Sequence, residues 1–133
     1  MLFPCLNVSA QYVDPETGVA YTAIDGTKAG NEGFADASDG KTDTKYGTRD
    51  MPNFVTIEAS DPVFLTGYTI ITANDNASYT GRNPLDWTLE GSNNKENWDT
   101  LQVVTNDKVL EDVNFTPFDF QLEAPSKTYK YFR

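Results

Sequence analysis

Apolar and polar residues alternate with a period of two along much of the chain, in short runs. Trp87, Leu89 and Gly91 alternate with polar neighbours, and Phe118, Phe120 and Leu122 do the same. This period places every second side chain of a strand on the same face, as expected where one face is buried. No long stretch has the period of an amphipathic helix. The pattern therefore predicts an all-β chain.

The alternating runs are separated by turn residues about every ten positions, which is typical of a two-sheet β-sandwich. The turn cluster 92–95 predicts that the runs on either side of it pair as a hairpin. Asp61-Pro62 is expected to end the strand before it, and a short helical turn is predicted near 34–37. The predicted strands cover 7–13, 19–24, 53–59, 67–73, 87–91, 98–104, 113–122 and 128–133.

Length and charge limit the classes of function. The 133 residues suffice for one domain with a single core. The net charge of −10 would repel nucleic acid and anionic membranes, and no run approaches the roughly 20 apolar residues of a membrane span. We therefore expect neither nucleic-acid binding nor membrane insertion.

The residue inventory also limits catalysis. The chain has no His, which excludes Ser-His and Cys-His pairs and His-bound zinc or iron. Cys5 is the only cysteine, so the chain has no internal disulfide. Acidic residues are plentiful, but their spacing singles out no pair that would act as acid and base. We expect no enzyme activity.

A polar loop at 74–84 joins two predicted strands and is the main candidate for a binding site. The forked donors of Arg82 suit paired hydroxyls or a carboxylate, and the ring of Tyr79 suits the C–H face of a sugar. The alternative is a solvated connection in which Arg82 forms a salt bridge with Asp75 or Asp86. The further candidates for sugar contacts are Asn74, Asp75 and Asn76 in this loop and Tyr46 in an earlier one.

Both tryptophans lie in strand-like alternation, which favours a place in the core over sugar stacking. The side chains predicted to share the core between the sheets are Trp87, Leu89, Ile70, Val55 and Ile57.

The acidic loop around Gly40 is compatible either with a calcium site or with a turn that binds no metal. Its carboxylates, hydroxyls and carbonyls are the oxygen ligands that Ca²⁺ prefers. The same sequence is also typical of an Asx turn with solvated carboxylates. The acidic and hydroxyl side chains concerned are Asp36, Asp39, Asp43 and Thr44.

Three segments resemble the discoidin-like domains, which include the coagulation factor V/VIII type C domains and the family 32 carbohydrate-binding modules of bacterial secreted proteins. The first is GYTIITAND at 67–75, followed by R-x-P-x-x-W-T-L-E-G-S-N and then Trp98. The second, at 37–46, is similar to the family's D-G-x-x-x-T-x-W segment, with Tyr46 at the aromatic position. The third, at 129–133, looks like the family's "ryvRl" strand.

The resemblance spans roughly residues 30 to 133 and implies a discoidin-like, galactose-binding-like jelly roll. Residues 1–133 are therefore predicted to form one such domain, with a closing strand expected beyond Arg133. The lone cysteine fits the bacterial branch. The resemblance also implies a structural Ca²⁺, bound by the Asp39 carboxylate, the carbonyls of Asp36 and Lys41, and Thr44 through its hydroxyl and carbonyl. The family's remaining ligand, a late Glu, would follow Arg133.

These observations predict a carbohydrate-binding module that binds a galactose-like or other sugar through loops at one end of the sandwich. We expect it to belong to a larger multi-domain bacterial protein that is extracellular, on the cell surface or periplasmic, with a role in adhesion or in holding an enzyme on glycan. The alternative is a non-catalytic protein-interaction or spacer domain of a surface protein.

Overall fold

The computed structural model describes residues 11–27 and 31–133. Cys5 and the first half of the predicted strand 7–13 lie outside the described residues. Within the described part, no helix is long and apolar enough to cross a membrane. The elements described are a 3-10 turn at Phe34–Ser38 and the strands β1 (Tyr12–Val13), β2 (Ala20–Gly26), β3 (Val55–Val63), β4 (Gly67–Ile71), β5 (Trp87–Ser92), β6 (Asp99–Val104), β7 (Pro117–Gln121) and β8 (Tyr129–Phe132).

The strands form two antiparallel sheets. The larger has six strands in the order β1-β2-β3-β8-β5-β6, and the smaller pairs β4 with β7. The predicted all-β sandwich is confirmed. The predicted hairpin is also confirmed, because β5 pairs with β6 in a register that places Trp87 opposite Val104.

The largest departure from the sequence prediction is in β3. The prediction that Asp61-Pro62 ends this strand is wrong, because β3 continues to Val63. Its register against β8 shifts between Glu58 and Val63. Such an irregularity accommodates a proline, which has no N–H to donate to the ladder.

Aromatic side chains from β8 form the centre of the core. Tyr129 and Phe132 are buried together with Val19 and Ala59, and Leu89 packs against this cluster. Gly91 makes room for one of these rings, because a Cβ at this position would lie 2.7 Å from Cγ of Tyr129. A strand residue with any side chain would therefore displace the ring.

The predicted place of Trp87 between the sheets is confirmed, although the side chain is only half-buried. Its ring meets Phe120 of β7 edge-on, with centroids 5.2 Å apart. Val55, Ile57 and Ile70 are also half-buried, and the most deeply buried residues lie elsewhere. The prediction that Trp98 lies in the core is wrong. Its ring packs against the guanidinium of Arg133, 4.2 Å from the ring centroid.

Candidate functional site

Loop 74–84 is held in place by hydrogen bonds to the segment that precedes β7. The buried amide of Asn76 donates to the side-chain oxygen of Asn83, whose own amide donates to the Glu111 carbonyl at 2.9 Å. The burial of Asn76 gives it a role in the shape of the loop. Two more contacts fix the backbone, from Ala77 N–H to Asn114 Oδ1 at 2.8 Å and from Gly81 N–H to Asp112 Oδ1 at 3.1 Å.

Arg82 and Tyr79 form a stacked pair on this loop. The guanidinium carbon of Arg82 lies 4.1 Å from the centroid of the Tyr79 ring. Tyr79 is 53% exposed, and the Arg82 side chain is 56% exposed. Because both groups are in contact with solvent, they are accessible to a ligand.

Asp75 lies beside this pair and connects the loop to a second segment. Its Oδ2 accepts a 2.7 Å hydrogen bond from Lys45 Nζ and lies 3.7 Å from Arg82 Nη1. The hydrogen bond from Lys45 lowers the pKa of Asp75 below its ordinary value, and the same bond raises the pKa of Lys45. Lys45 also lies 3.3 Å from Glu32. Lys45 makes the shorter contact with the Asp75 carboxylate, so this carboxylate holds Arg82 less tightly than it holds Lys45.

Nothing in the sequence pattern indicates that Lys45 is a member of the site. Its partner Asp75 is 30 residues away along the chain, and no spacing rule connects the two. The contact places the backbone around Tyr46 next to loop 74–84. Tyr46 itself is half-buried, and burial raises the pKa of its hydroxyl. That hydroxyl has no hydrogen-bond partner among the described residues. Asn74, the remaining predicted sugar contact, is exposed on loop 74–84.

The acidic loop brings Asp39 and Thr44 together. Asp39 is buried, and its two carboxylate oxygens accept hydrogen bonds from Lys41 N–H at 2.9 Å and from the Thr44 hydroxyl at 2.6 Å. Gly40 between them has φ of +76°, a conformation that favours glycine. Among residues 11–27 and 31–133, no three His, Cys, Asp or Glu side chains cluster as a metal site.

The donor set of this loop is nevertheless suited to a hard cation. All of its candidate ligand atoms are oxygens, and a carboxylate that accepts two hydrogen bonds keeps further lone pairs for a cation. Of the predicted carbonyl ligands, Asp36 lies in the 3-10 turn Phe34–Ser38 and Lys41 follows that turn. Asp36 is half-buried, and its N–H donates to the Gly33 carbonyl at 3.1 Å. Calcium binding stays a prediction.

No protein-family model matches the chain, and no curated protein matches it significantly. Several solved structures are similar to it, among them two carbohydrate-binding modules. One is the family 32 carbohydrate-binding module of Streptococcus pneumoniae EndoD, with a TM-score of 0.60, 17% identity, and coverage of 84% of this chain and 78% of that one. The other is CBM32-3 of a family 31 glycoside hydrolase from Clostridium perfringens, with a TM-score of 0.60, 21% identity, and coverage of 84% and 74%. The chain thus has the discoidin-like β-sandwich fold of the family 32 carbohydrate-binding modules.

Proposed function

We propose that the chain is a carbohydrate-binding module that binds a glycan through loop 74–84. The observation that carries this proposal is the exposed stack of Arg82 on Tyr79. Sugar hydroxyls both donate and accept hydrogen bonds, while one face of many sugar rings is apolar. A cationic fork beside an aromatic ring and a carboxylate offers a partner to each of these groups.

The division of contacts around Asp75 supports this role for Arg82. Lys45 makes the short hydrogen bond to Asp75, whereas the ion pair between Arg82 and Asp75, which the alternative for this loop predicted, is longer, at 3.7 Å from Nη1 to Oδ2. Arg82 therefore keeps donors for a ligand, and Asp75 stays charged as an acceptor beside it. The loop is fixed through Asn76 and Asn83, so binding would cost little loop ordering.

We place this module, without catalytic activity of its own, in a larger bacterial protein that is secreted, periplasmic or attached to the cell surface. Both similar structures carry the name of carbohydrate-binding modules, and one comes from a glycoside hydrolase. The high negative charge favours solubility and is compatible with a neutral polymer as partner.

A structural Ca²⁺ belongs to the same proposal. The carboxylate of Asp39, the hydroxyl of Thr44 and the carbonyls of Asp36 and Lys41 would hold it. Support comes from the buried position of Asp39 and its 2.6 Å contact with Thr44, because a buried carboxylate gains from a nearby cation.

A glycan array followed by calorimetric titration tests the binding function. The wild-type protein should bind at least one galactose-, N-acetylhexosamine- or plant-type glycan. Arg82→Ala should weaken that binding roughly tenfold or more, the range for losing hydrogen bonds from a charged group. Arg82→Lys keeps the charge but lacks the fork, so its affinity should be intermediate. Arg49→Ala removes an exposed arginine outside the loop and serves as the matched control.

Two results would contradict the proposal. Absence of binding to every glycan class would favour the alternative, a protein-interaction or spacer domain. Binding that is equally strong in the wild type and in both the Arg82→Ala and Tyr79→Ala variants would remove loop 74–84 from the site.

A further inference from the structure

The outer face of the six-stranded sheet carries a groove of about 550 Å³, within the range of small-ligand sites. It lies apart from loop 74–84. That loop precedes β5, whereas Lys95 and Trp98 of the groove come after the end of β5 at Ser92. The lining residues that matter for its chemistry are Phe54, Trp98, Asp25, Glu58, Lys95 and Arg133.

Strand register shows that this groove faces away from the core. Ile57 pairs with Phe132, which is buried in the core cluster, so the next residues along each strand point the other way. Glu58 and Tyr131 are such a pair, and both lie on the outer face. The groove is therefore a separate surface of the sandwich.

One wall of the groove is fixed by a series of contacts. Glu90 Oε2 accepts hydrogen bonds from Nε and Nη2 of Arg133, at 2.8 and 2.6 Å. The guanidinium of Arg133 stacks on Trp98, whose indole N–H donates to the Lys95 carbonyl at 3.2 Å. Side chains held in this way are already in position for a ligand, which lowers the entropy cost of binding.

Lys95 has an unusual backbone for its residue type. Its φ is +62°, a left-handed conformation that costs a non-glycine residue free energy and that Gly or Asn adopts more readily. Its ammonium lies 5.1 Å from the centroid of the Tyr131 ring, at the edge of the groove. No carboxylate of the described residues lies within salt-bridge distance of it. Lys95 thus combines a strained backbone with an ammonium that has no ion partner, which indicates a role in ligand binding as well as in the turn.

The charges of the groove are balanced. Lys95 and Arg133 supply two positive charges, and Asp25 and Glu58 supply two negative ones. Glu90, which is bound to Arg133, and Lys130, which lies 4.0 Å from Glu58, add one charge of each sign. A charged ligand would be repelled by the two groove side chains that carry its own sign of charge. A neutral ligand with both hydrogen-bond donors and acceptors can bind all four charged side chains. Phe54, which is 43% exposed, and Trp98 add apolar surface.

We propose that this groove is a second ligand site, for a neutral oligosaccharide that lies across β3 and β8. Its hydroxyls would accept hydrogen bonds from Lys95 and Arg133 and donate to Glu58 and Asp25, while the rings pack on Trp98 and Phe54. The groove is open and lies on a sheet face, so it accommodates several sugars of a chain. This site does not depend on the Arg82–Tyr79 site, because the two share no residue.

The test is a titration of the whole chain with neutral cello-, galacto- and xylo-oligosaccharides, followed by NMR of the two indole N–H signals. The Trp98 signal should shift in a saturable way with at least one of them, and the shift should persist in Arg82→Ala. Lys95→Asn suits the left-handed backbone, so it keeps the fold while it removes the cation. It should weaken binding at the groove roughly tenfold or more, as should Glu58→Gln.

Lys108→Asn is the matched control, because Lys108 is an exposed lysine outside both sites. The inference is overturned if no neutral oligosaccharide moves the Trp98 signal at millimolar concentration, or if the shift is unchanged in Lys95→Asn. Tighter binding of uronic-acid oligosaccharides than of neutral ones would also overturn it. Loss of all groove binding in Arg82→Ala would show a single site in the loop and thus contradict the second one.

Discussion

The indole N–H of Trp87 donates a 2.7 Å hydrogen bond to the hydroxyl of Tyr68, and this bond joins the two sheets. Trp87 lies on β5 of the large sheet, and Tyr68 lies on β4 of the small one. The Tyr68 hydroxyl donates in turn to Gln102 Oε1 at 2.6 Å, and the Gln102 amide donates to the Gln121 carbonyl at 3.1 Å. Burial raises the pKa of Tyr68, so its hydroxyl keeps this proton well above neutral pH.

Removal of the Tyr68 hydroxyl should therefore destabilise the fold. Tyr68→Phe leaves the partly buried Trp87 N–H and the side-chain oxygen of Gln102 without their partner, and we expect a loss of about 1–3 kcal/mol in the free energy of unfolding. Urea denaturation measures this loss. Tyr12→Phe is the control, because Tyr12 is 46% exposed. Equal losses in the two variants would contradict a bridging role.

Gly91 should tolerate no side chain. A Cβ there would lie within 3 Å of three ring atoms of the buried Tyr129. Gly91→Ala should then cost about 1–3 kcal/mol, the range for overpacking a core. Gly33→Ala is the control, since a Cβ at Gly33 meets no atom within 4 Å. Thermal unfolding compares the two, and similar melting temperatures would show that Tyr129 can move aside.

The ion pair between Lys45 and Asp75 should be visible in the acid titration of the protein. Because the folded pKa of Asp75 is lowered, its contribution to stability is present above about pH 4 and is lost as pH falls through the lowered value. Lys45→Met should raise the pKa of Asp75 towards its ordinary range, as measured by NMR of the carboxyl carbon. Lys108→Met should leave it unchanged. An Asp75 pKa that is the same in wild type and Lys45→Met would contradict the pair.

Calcium should raise the melting temperature of the protein, and chelator should reverse the effect. A ligand that binds only the folded state stabilises it by about 2.7 kcal/mol at a hundredfold excess over its dissociation constant. Asp39→Ala should abolish the response to calcium, whatever it does to the melting temperature itself. Asp43→Ala, which removes an exposed carboxylate of the same loop, should keep most of the response. A wild-type melting temperature that ignores both calcium and chelator would identify the loop as an ordinary Asx turn.

The sequence by itself determined most strands and the hairpin at 92–95, because period-two alternation and turn residues act over a few neighbouring positions. It also singled out Arg82 and Tyr79 from the polarity of their loop. It predicted a strand end at Asp61-Pro62 that the tertiary structure overrode, since the pairing of Val63 with Tyr129 of β8 continues β3 past the proline.

Only the tertiary structure decided which distant side chains meet. Lys45 reaches Asp75 across 30 residues, and Arg133 pairs with Glu90 across 43. Trp98 alternates like a core residue in the sequence, yet Arg133 holds it on the outer face. Alternation shows that a strand has two faces, but both faces of a sheet can hold aromatic rings. Which face is buried depends on what the second sheet covers, and that is set by the packing of the whole chain.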